Sequence, residues 1–340
     1  MNQDERDDRT ELNDRADATE RGDRVGATEQ GERGDRSGRA ERDERDDLLA
    51  LRFEEHRAHL RAVGYRMLGS LGDAEDAVQE TWLRLSRSDV GAVDNLGGWL
   101  TTVTGRICLD LLRSRTTRRE EPLEVGEAPV RLPDPVVSGP HRLDPEQEVL
   151  LADSVGIALM VVLETLSPAE RLAFVLHDMF AVTFEEIAPI LGRTPATTRQ
   201  LASRARRRVQ GVAPAPDGDP TRRRKVVDAF LAASRGGDFE ALVALLDPEI
   251  VARSDGGSVL PSLLRRGAAD VASQAITFAR FAESAHPALV NGTPGVVSMA
   301  DGKPLSVMAF TIRDGRITAL DILTDPERLA LIDLSAVLAG

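Results

Sequence analysis

Arg193, Arg199, Arg204, Arg206, Arg207 and Arg208 lie between Gly192 and Val209 with no acidic residue among them. Six fixed cations in one stretch attract phosphate, and a guanidinium or the Gln200 amide can pair with a base edge through two hydrogen bonds. The chemistry these residues offer is recognition, and the elements around them fit it. Thr183-Phe184-Glu185-Glu186 reads as a capping box opening a short helix with Ile187, Ala188, Ile190 and Leu191 inward, and Gly192 is placed to end it. Thr194-Pro195 starts another helix after a turn of about three residues. Between Thr183 and Val209 this is a helix-turn-helix, whose second helix enters the major groove of double-stranded DNA. Thr198, Leu201 and Ala205 face the core of that helix pair. Arg193, Thr197, Arg199, Gln200, Ser203, Arg204, Arg207 and Arg208 are left to meet DNA. A solvated helical hairpin would share the apolar spacing, but the tight turn, the caps and the unopposed charge together favour DNA.

A second polar constellation lies upstream. Asp73 is positioned as an N-cap with Asp76 at N3, and Ala74, Ala77, Val78, Thr81, Trp82 and Leu85 mark one buried face. Glu75, Asp76, Gln79 and Glu80 fall on the other face, which taken alone is a solvated surface. A third helix places Trp99, Leu100, Val103, Ile107 and Leu111 inward and ends in Arg113, Arg115, Arg118 and Arg119. Arg106, Arg113 and Arg115 could follow a single strand, and Trp99 could stack on an unpaired base, although an aromatic at that spacing more often belongs to the core.

The whole chain must hold these surfaces. Its 340 residues predict two to three domains, and the net charge of −13 resolves once mapped. Residues 1–47 carry seventeen acids against ten arginines, about half of the imbalance, with almost no apolar side chains. The segment predicts a disordered charged tail. A helical domain follows over 48–119, then a linker over 120–143 with five prolines, then a second helical domain over 144–212. Asp144-Pro145-Glu146-Gln147 and Ser167-Pro168-Ala169-Glu170 announce helix starts in it. A linker over 213–221 leads to residues 222–340, where helices over Val226–Ala233 and Phe239–Leu246 precede period-2 strands. Asp301-Gly302 and Asp314-Gly315 read as hairpin turns, so this domain is expected to be α+β with antiparallel strands. The lone Cys108 excludes a disulfide framework and reads as core filling. No membrane-length apolar run occurs, and a cytoplasmic protein is expected.

From Phe53 to Val209 the sequence resembles the extracytoplasmic-function RNA polymerase sigma factors, most specifically at Asp73-Ala74-Glu75-Asp76-Ala77-Val78-Gln79-Glu80-Thr81-Trp82. The resemblance implies a region two whose face of Asp73, Glu75, Asp76, Gln79 and Glu80 docks on core polymerase. It implies that Trp99–Arg119 opens and reads the minus-ten element, and that Leu166–Val209 is a region four reading the minus-thirty-five element. Beyond Thr221 the chain resembles the SnoaL-like, NTF2-like cone domains, through Asp238-Phe239-Glu240-Ala241-Leu242 and Leu246-Asp247-Pro248-Glu249. Sigma factors so extended form the ECF41 group, with a Trp-Leu-Pro linker motif and an Asp-Gly-Gly-Gly motif in the extension. Here Leu132 and Pro133, and Asp255, Gly256 and Gly257, match them in part and are expected to regulate. The implied partners are core RNA polymerase and promoter DNA, with no membrane, metal or cofactor, and a small-molecule ligand of the cone domain is left open. One rival is a helix-turn-helix regulator that needs no polymerase. Another is an isomerase-like enzyme using His286, Asp255 or Asp321, which no spacing ties together.

Overall fold

The computed structural model describes residues 47–88, 95–119, 131–139, 156–212 and 219–338. Residues 1–46 of the expected tail, the helix start at Asp144-Pro145 and residues 213–218 of the second linker lie outside the described residues. The chain divides into residues 1–55 and 56–340. Residues 47–55 of the first unit are helical, and the second unit contains everything that follows.

Helix α1 (56–68) ends at Gly69, whose φ of +70° turns the chain into α2 (Leu71–Ser86). The expected N-cap is corrected here. Ser70 caps α2 by accepting from the Asp73 N–H, and Asp73 sits inside the first turn. The start is set by the glycine corner, three residues earlier than side-chain preference alone suggests. Ala74, Ala77, Val78, Thr81 and Leu85 are buried, while Trp82 is half-buried. Helix α3 (Leu96–Arg119) buries Leu100, Ile107, Cys108 and Leu109, with Val103 and Leu111 packed on the same core. A bond of 2.9 Å between the buried Thr81 and Thr104 hydroxyls ties α2 to α3.

Four helices follow: α4 (Gly156–Glu164), α5 (Pro168–Phe174), α6 (Phe184–Leu191) and α7 (Pro195–Val212). Capping boxes at Ser167/Glu170 and Thr183/Glu186 form as the sequence leads one to expect, and Gly192 closes α6 at φ +62°. Helix α5 continues into a π-helical turn, Val175–Met179. The two helical blocks do not keep separate cores. Val63, Met67, Ala74 and Ile107 belong to one cluster with Leu163, Leu172, Ile187 and Ala202.

The C-terminal part opens with α8 (Pro220–Gly236), capped by Asp219, and α9 (Phe239–Leu245), capped by Asp238. Strands β2 (Leu246–Asp255) and β3 (Leu263–Arg266), helices α10 (Ala268–Thr277) and α11 (Ala279–Glu283), and β4 (Ala285–Val290), β5 (Thr293–Ala300), β6 (Lys303–Arg313) and β7 (Arg316–Leu323) follow. Short helices α12 (Pro326–Leu329) and α13 (Ser335–Leu338) finish the fold. Asp301-Gly302 and Asp314-Gly315 make the hairpins with both residues at positive φ, and Asn291-Gly292 makes a third.

With the two-residue strand β1 (Val137–Ser138), the sheet order is β1-β4-β5-β6-β7-β2-β3. The sheet is antiparallel, as expected, except for one parallel pair, β2 with β7. After β3 the chain crosses through α10 and α11 to the far edge and meanders back, so β7 meets β2 running the same way. One face packs Val296, Phe310 and Leu320 under Val227 and Phe230 of α8 and Val271 of α10. The other packs Val297, Val307, Ala309 and Leu323 against Ile157, Leu329 and Val337. With both faces covered, alternation still decides the side each residue takes.

The edge strand β1 (Val137–Ser138) comes from the linker, pairing antiparallel with β4 at Val137–Val290 and Ser138–Leu289. Leu132 and Val136 beside it are buried. The linker was expected as a free spacer because prolines punctuate it. Pro133 and Pro135 leave an extended backbone ahead of β1, which is the conformation a sheet edge accepts, while 120–130 and 140–143 lie outside the described residues.

Candidate nucleic-acid interface

Helix α7 rests its back on the protein and turns its front to solvent. Thr198, Ala202 and Ala205 are buried and Leu201 half-buried, while Arg193, Thr197, Arg199, Gln200, Ser203, Arg204, Arg207 and Arg208 are all exposed. Thr194 caps the helix by accepting from the Thr197 N–H at 3.2 Å. The Arg199 guanidinium lies 5.1 Å from the centre of the Phe184 ring, and Phe184 stacks on His177 at 3.8 Å. His177 is fixed in turn by Val182 O, 2.9 Å from its Nδ1. The supporting helix thus grips one of the expected base readers.

Unopposed charge along the chain is partly opposed in space. Arg206 pairs with Asp178, and Arg208 Nη1 reaches Glu170 Oε2 at 3.1 Å. Both acids come from the α5 segment, so spacing within 192–209 could not reveal them. Arg193, Arg204 and Arg207 form no ion pair among the described residues.

On α2 the expected polymerase face is divided. Asp76 and Gln79 are exposed, and Glu80 pairs with Arg84 one turn on, at 2.9 Å. Glu75 leans to α1, where Arg57 and Arg61 hold it, and Asp73 pairs with Arg115 at 2.5 Å. Arg115, expected along a DNA strand, is therefore half-buried between Asp73 and the Leu68 carbonyl. Arg106 and Arg113 remain exposed, Arg113 with Asp110 at 3.8 Å. Trp99 is half-buried.

Helix α3 also touches the other helical block. A Cβ on Gly105 would lie 3.1 Å from Leu176 and 3.3 Å from Leu172, so the absent side chain lets α3 and α5 approach. Arg171 on α5 donates from Nε to the Arg66 carbonyl at 3.0 Å, and burial lowers its guanidinium to about 10. Burial likewise pushes the Cys108 thiol up to about 12, in keeping with its core position.

The two partial motifs meet. Asp255, at the end of β2, accepts the Leu132 N–H at 2.8 Å and Arg328 Nη1 at 2.7 Å on the same oxygen. Arg328, on α12, also donates to the Leu132 carbonyl at 2.7 Å and, through Nε, to Asp134 Oδ1 at 2.8 Å. The other Asp134 oxygen accepts the Leu71 N–H at 2.9 Å, placing a carboxylate at the positive end of α2. The Asp134 N–H donates to Gly69 O at 2.8 Å. The Tyr65 hydroxyl donates to the Asp134 carbonyl at 2.6 Å and accepts from Asn291 Nδ2 at 2.8 Å. Val136 and Asn291 exchange two more bonds, of 3.1 and 2.8 Å. The α1–α2 corner, the linker and the sheet domain are thereby joined in one latch.

Both motif glycines serve this geometry. A Cβ on Gly256 would collide with the Leu260 carbonyl, and one on Gly257, at φ +67°, with the Asp325 carboxylate. Pro133 stands between Leu132 and Asp134 with no N–H to leave unpaired. Sequence reasoning missed Tyr65, Asp134, Asn291 and Arg328. Asp-Pro pairs stand at 134–135 and at 325–326, but nothing in either segment points to the other.

The three residues considered for catalysis are not brought together. Asp255 is committed to the latch, and His286 is exposed on β4. Asp321 pairs with Arg253 at 3.1 Å, burial raising its carboxyl while Arg253 opposes the shift. No group of three or more metal-ligating side chains occurs among the described residues. No described helix is long and apolar enough to cross a membrane.

Residues 52–118 match the model of Sigma-70 region 2, and residues 157–209 that of Sigma-70 region 4. The chain is 36% identical to a probable ECF RNA polymerase sigma factor, SigI of Mycobacterium tuberculosis, over 83% of its own length and 95% of that protein's. It is 39% identical to the ECF RNA polymerase sigma factor SigJ of the same organism, over 81% and 91%. The crystal structure of M. tuberculosis SigJ superposes with a TM-score of 0.68 at 35% identity, covering 84% of this chain and 99% of that one.

Proposed function

The chain belongs to the extracytoplasmic-function RNA polymerase sigma factors, and from that premise we propose that its sheet domain controls promoter engagement through the latch. A sigma factor directs polymerase to promoters. In our reading Asp76, Gln79 and Glu80 contact core polymerase, Arg199, Gln200, Ser203 and Arg204 read the upstream element, and Arg106 and Arg113 follow the opened strand.

The observation that carries the proposal is Asp255, whose carboxylate holds the linker backbone and Arg328 together. The compact arrangement it secures is a resting one. The minus-ten and minus-thirty-five elements lie about 25 base pairs apart, or about 85 Å along the duplex at 3.4 Å per pair. Helices α3 and α5 touch across Gly105, so the two readers must part before both can be used. Releasing the latch therefore favours the working form.

Run-off transcription with core polymerase tests this. Arg328→Ala, and truncation after Pro214, should each raise transcript yield at matched polymerase occupancy. Unchanged yield from both variants would remove the assigned role, whatever the DNA affinity of α7.

A further inference from the structure

The sheet domain encloses a cavity of about 410 Å³ between its inner sheet face and helices α8 and α10. Its walls are mostly apolar, with Phe230, Val271, Val296 and Leu320 among them. Leu260 and Phe278 line it and are also 45% and 44% exposed, so it opens to solvent between them.

Two polar groups stand out in this wall. Ser298 on β5 and Ser306 on β6 are direct cross-strand partners on the inner face. Both line the cavity at 3% and 9% exposure. Neither hydroxyl has a hydrogen-bond partner among the described residues, and neither is sealed from the cavity. A buried hydroxyl without a partner costs free energy unless something in the cavity satisfies it. Two side by side can donate to the two lone pairs of one acceptor oxygen. The charged groups decide what carries that oxygen. Arg253 is engaged by Asp321, and Arg265 is exposed at the rim, so among the described residues no free cation waits inside to neutralise a carboxylate.

We propose that this cavity is a binding site for a neutral, largely apolar small molecule with a carbonyl oxygen seated between Ser298 and Ser306, and that its occupancy bears on the latch. The coupling rests on the latch reading above, whereas the site itself does not. Ser254 and Thr324 both line the cavity. Ser254 precedes Asp255, and Thr324 donates to the Asp255 carbonyl from its N–H at 2.8 Å and its hydroxyl at 3.1 Å. A ligand pressing on this wall presses on the strand end that presents the Asp255 carboxylate to Leu132 and Arg328.

The test uses prodan, a neutral naphthyl ketone whose emission reports polarity, titrated into the full-length protein. Saturable binding of one probe per chain with blue-shifted emission is expected. The Ser298→Ala/Ser306→Ala variant should bind roughly tenfold more weakly through loss of two neutral hydrogen bonds. Met308→Trp, which fills the cavity, should not bind, with a thermal melt confirming that it folds. Amide exchange over 131–139 should change when the probe binds to the wild type. Absence of saturable binding, or binding equal in wild type and both variants, overturns the site. Binding that leaves exchange over 131–139 unmoved overturns the coupling. Arg328→Ala should still bind prodan saturably, its affinity shifted by the coupling between cavity and latch, so failure of the latch reading in transcription is distinguishable from failure of the site.

Discussion

Arg204 on α7 stands in solvent with no ion pair among the described residues, whereas Arg328 on α12 is largely withdrawn from water and bonded to Asp255, Asp134 and the Leu132 carbonyl. The same guanidinium does opposite work in the two places. On α7 its donors meet no anion among the described residues, and Arg207 and Arg208 nearby carry the same sign. In the latch its donors are matched by carboxylates from two distant segments, so it spends its recognition capacity inside the molecule. Arg328 finds its anions within the chain, and in the proposed reading Arg204 finds its own on promoter DNA.

The sharpest way to break the comparison is to remove the internal arginine. Arg328→Ala leaves the carboxylates of Asp255 and Asp134 without their cation, and stripping one partner from a largely buried pair costs about 3 kcal/mol. Hydrogen exchange should accelerate over 131–139 while α2 and α7 keep their protection. Equal protection of the linker in variant and wild type would show that the latch holds without Arg328.

Tyr65→Phe tests a smaller piece of the same network. It strands the Asp134 carbonyl and Asn291 Nδ2, and should lower the unfolding free energy by about 1–3 kcal/mol in a denaturant titration. A double-mutant cycle with Asn291→Ala should be non-additive, since the two side chains share one bond.

On the outward-facing side, Arg204→Ala should lose on the order of 1–3 kcal/mol of binding to a promoter and relax preference at one base position. Arg207→Ala should weaken all sequences alike and lower the salt slope. Arg208→Ala should act less cleanly, because its cation already faces Glu170. Fluorescence anisotropy across a salt series separates the three, and identical behaviour would withdraw the base-reading role.

The smallest expected effect on stability comes from Asp76→Ala/Glu80→Ala, within about 0.5 kcal/mol because both side chains reach solvent. The same variant should lose core polymerase in a pull-down. Retained binding would move the docking face elsewhere.

How much could be read in advance follows the same division. The caps at Ser167 and Thr183, the turn at Gly192 and the outward register of α7 are local properties, fixed by residues within one or two turns of each other. Hairpin turns at Asp301-Gly302 and Asp314-Gly315 are local too. What escaped was long-range. Arg115 reads as a strand-following cation until Asp73 is found beside it, and the linker reads as a spacer until β4 offers it an edge. The helix start at Ser70 was missed because a glycine corner and a distant carboxylate outweighed the preference of Asp73 for a cap. Leu132 and Asp255 were found because their motifs were suggestive; Arg328, Asn291 and Tyr65 carried no motif.

The latch also imposes an order in time. Asp255 follows Leu132 by 123 residues, and Arg328 follows Asp134 by 194. At about 5–20 residues per second on the ribosome, Arg328 is added roughly 10–40 s after the segment it must hold. Both helical blocks have been synthesised before Arg328 can close the latch over the linker. Every newly made molecule passes through an interval without the latch, whose length is set by translation speed and by the slow assembly of a sheet with distant pairings. On the proposed reading restraint is acquired only once Arg328 has been added, and a chain cut short before Arg328 never acquires it.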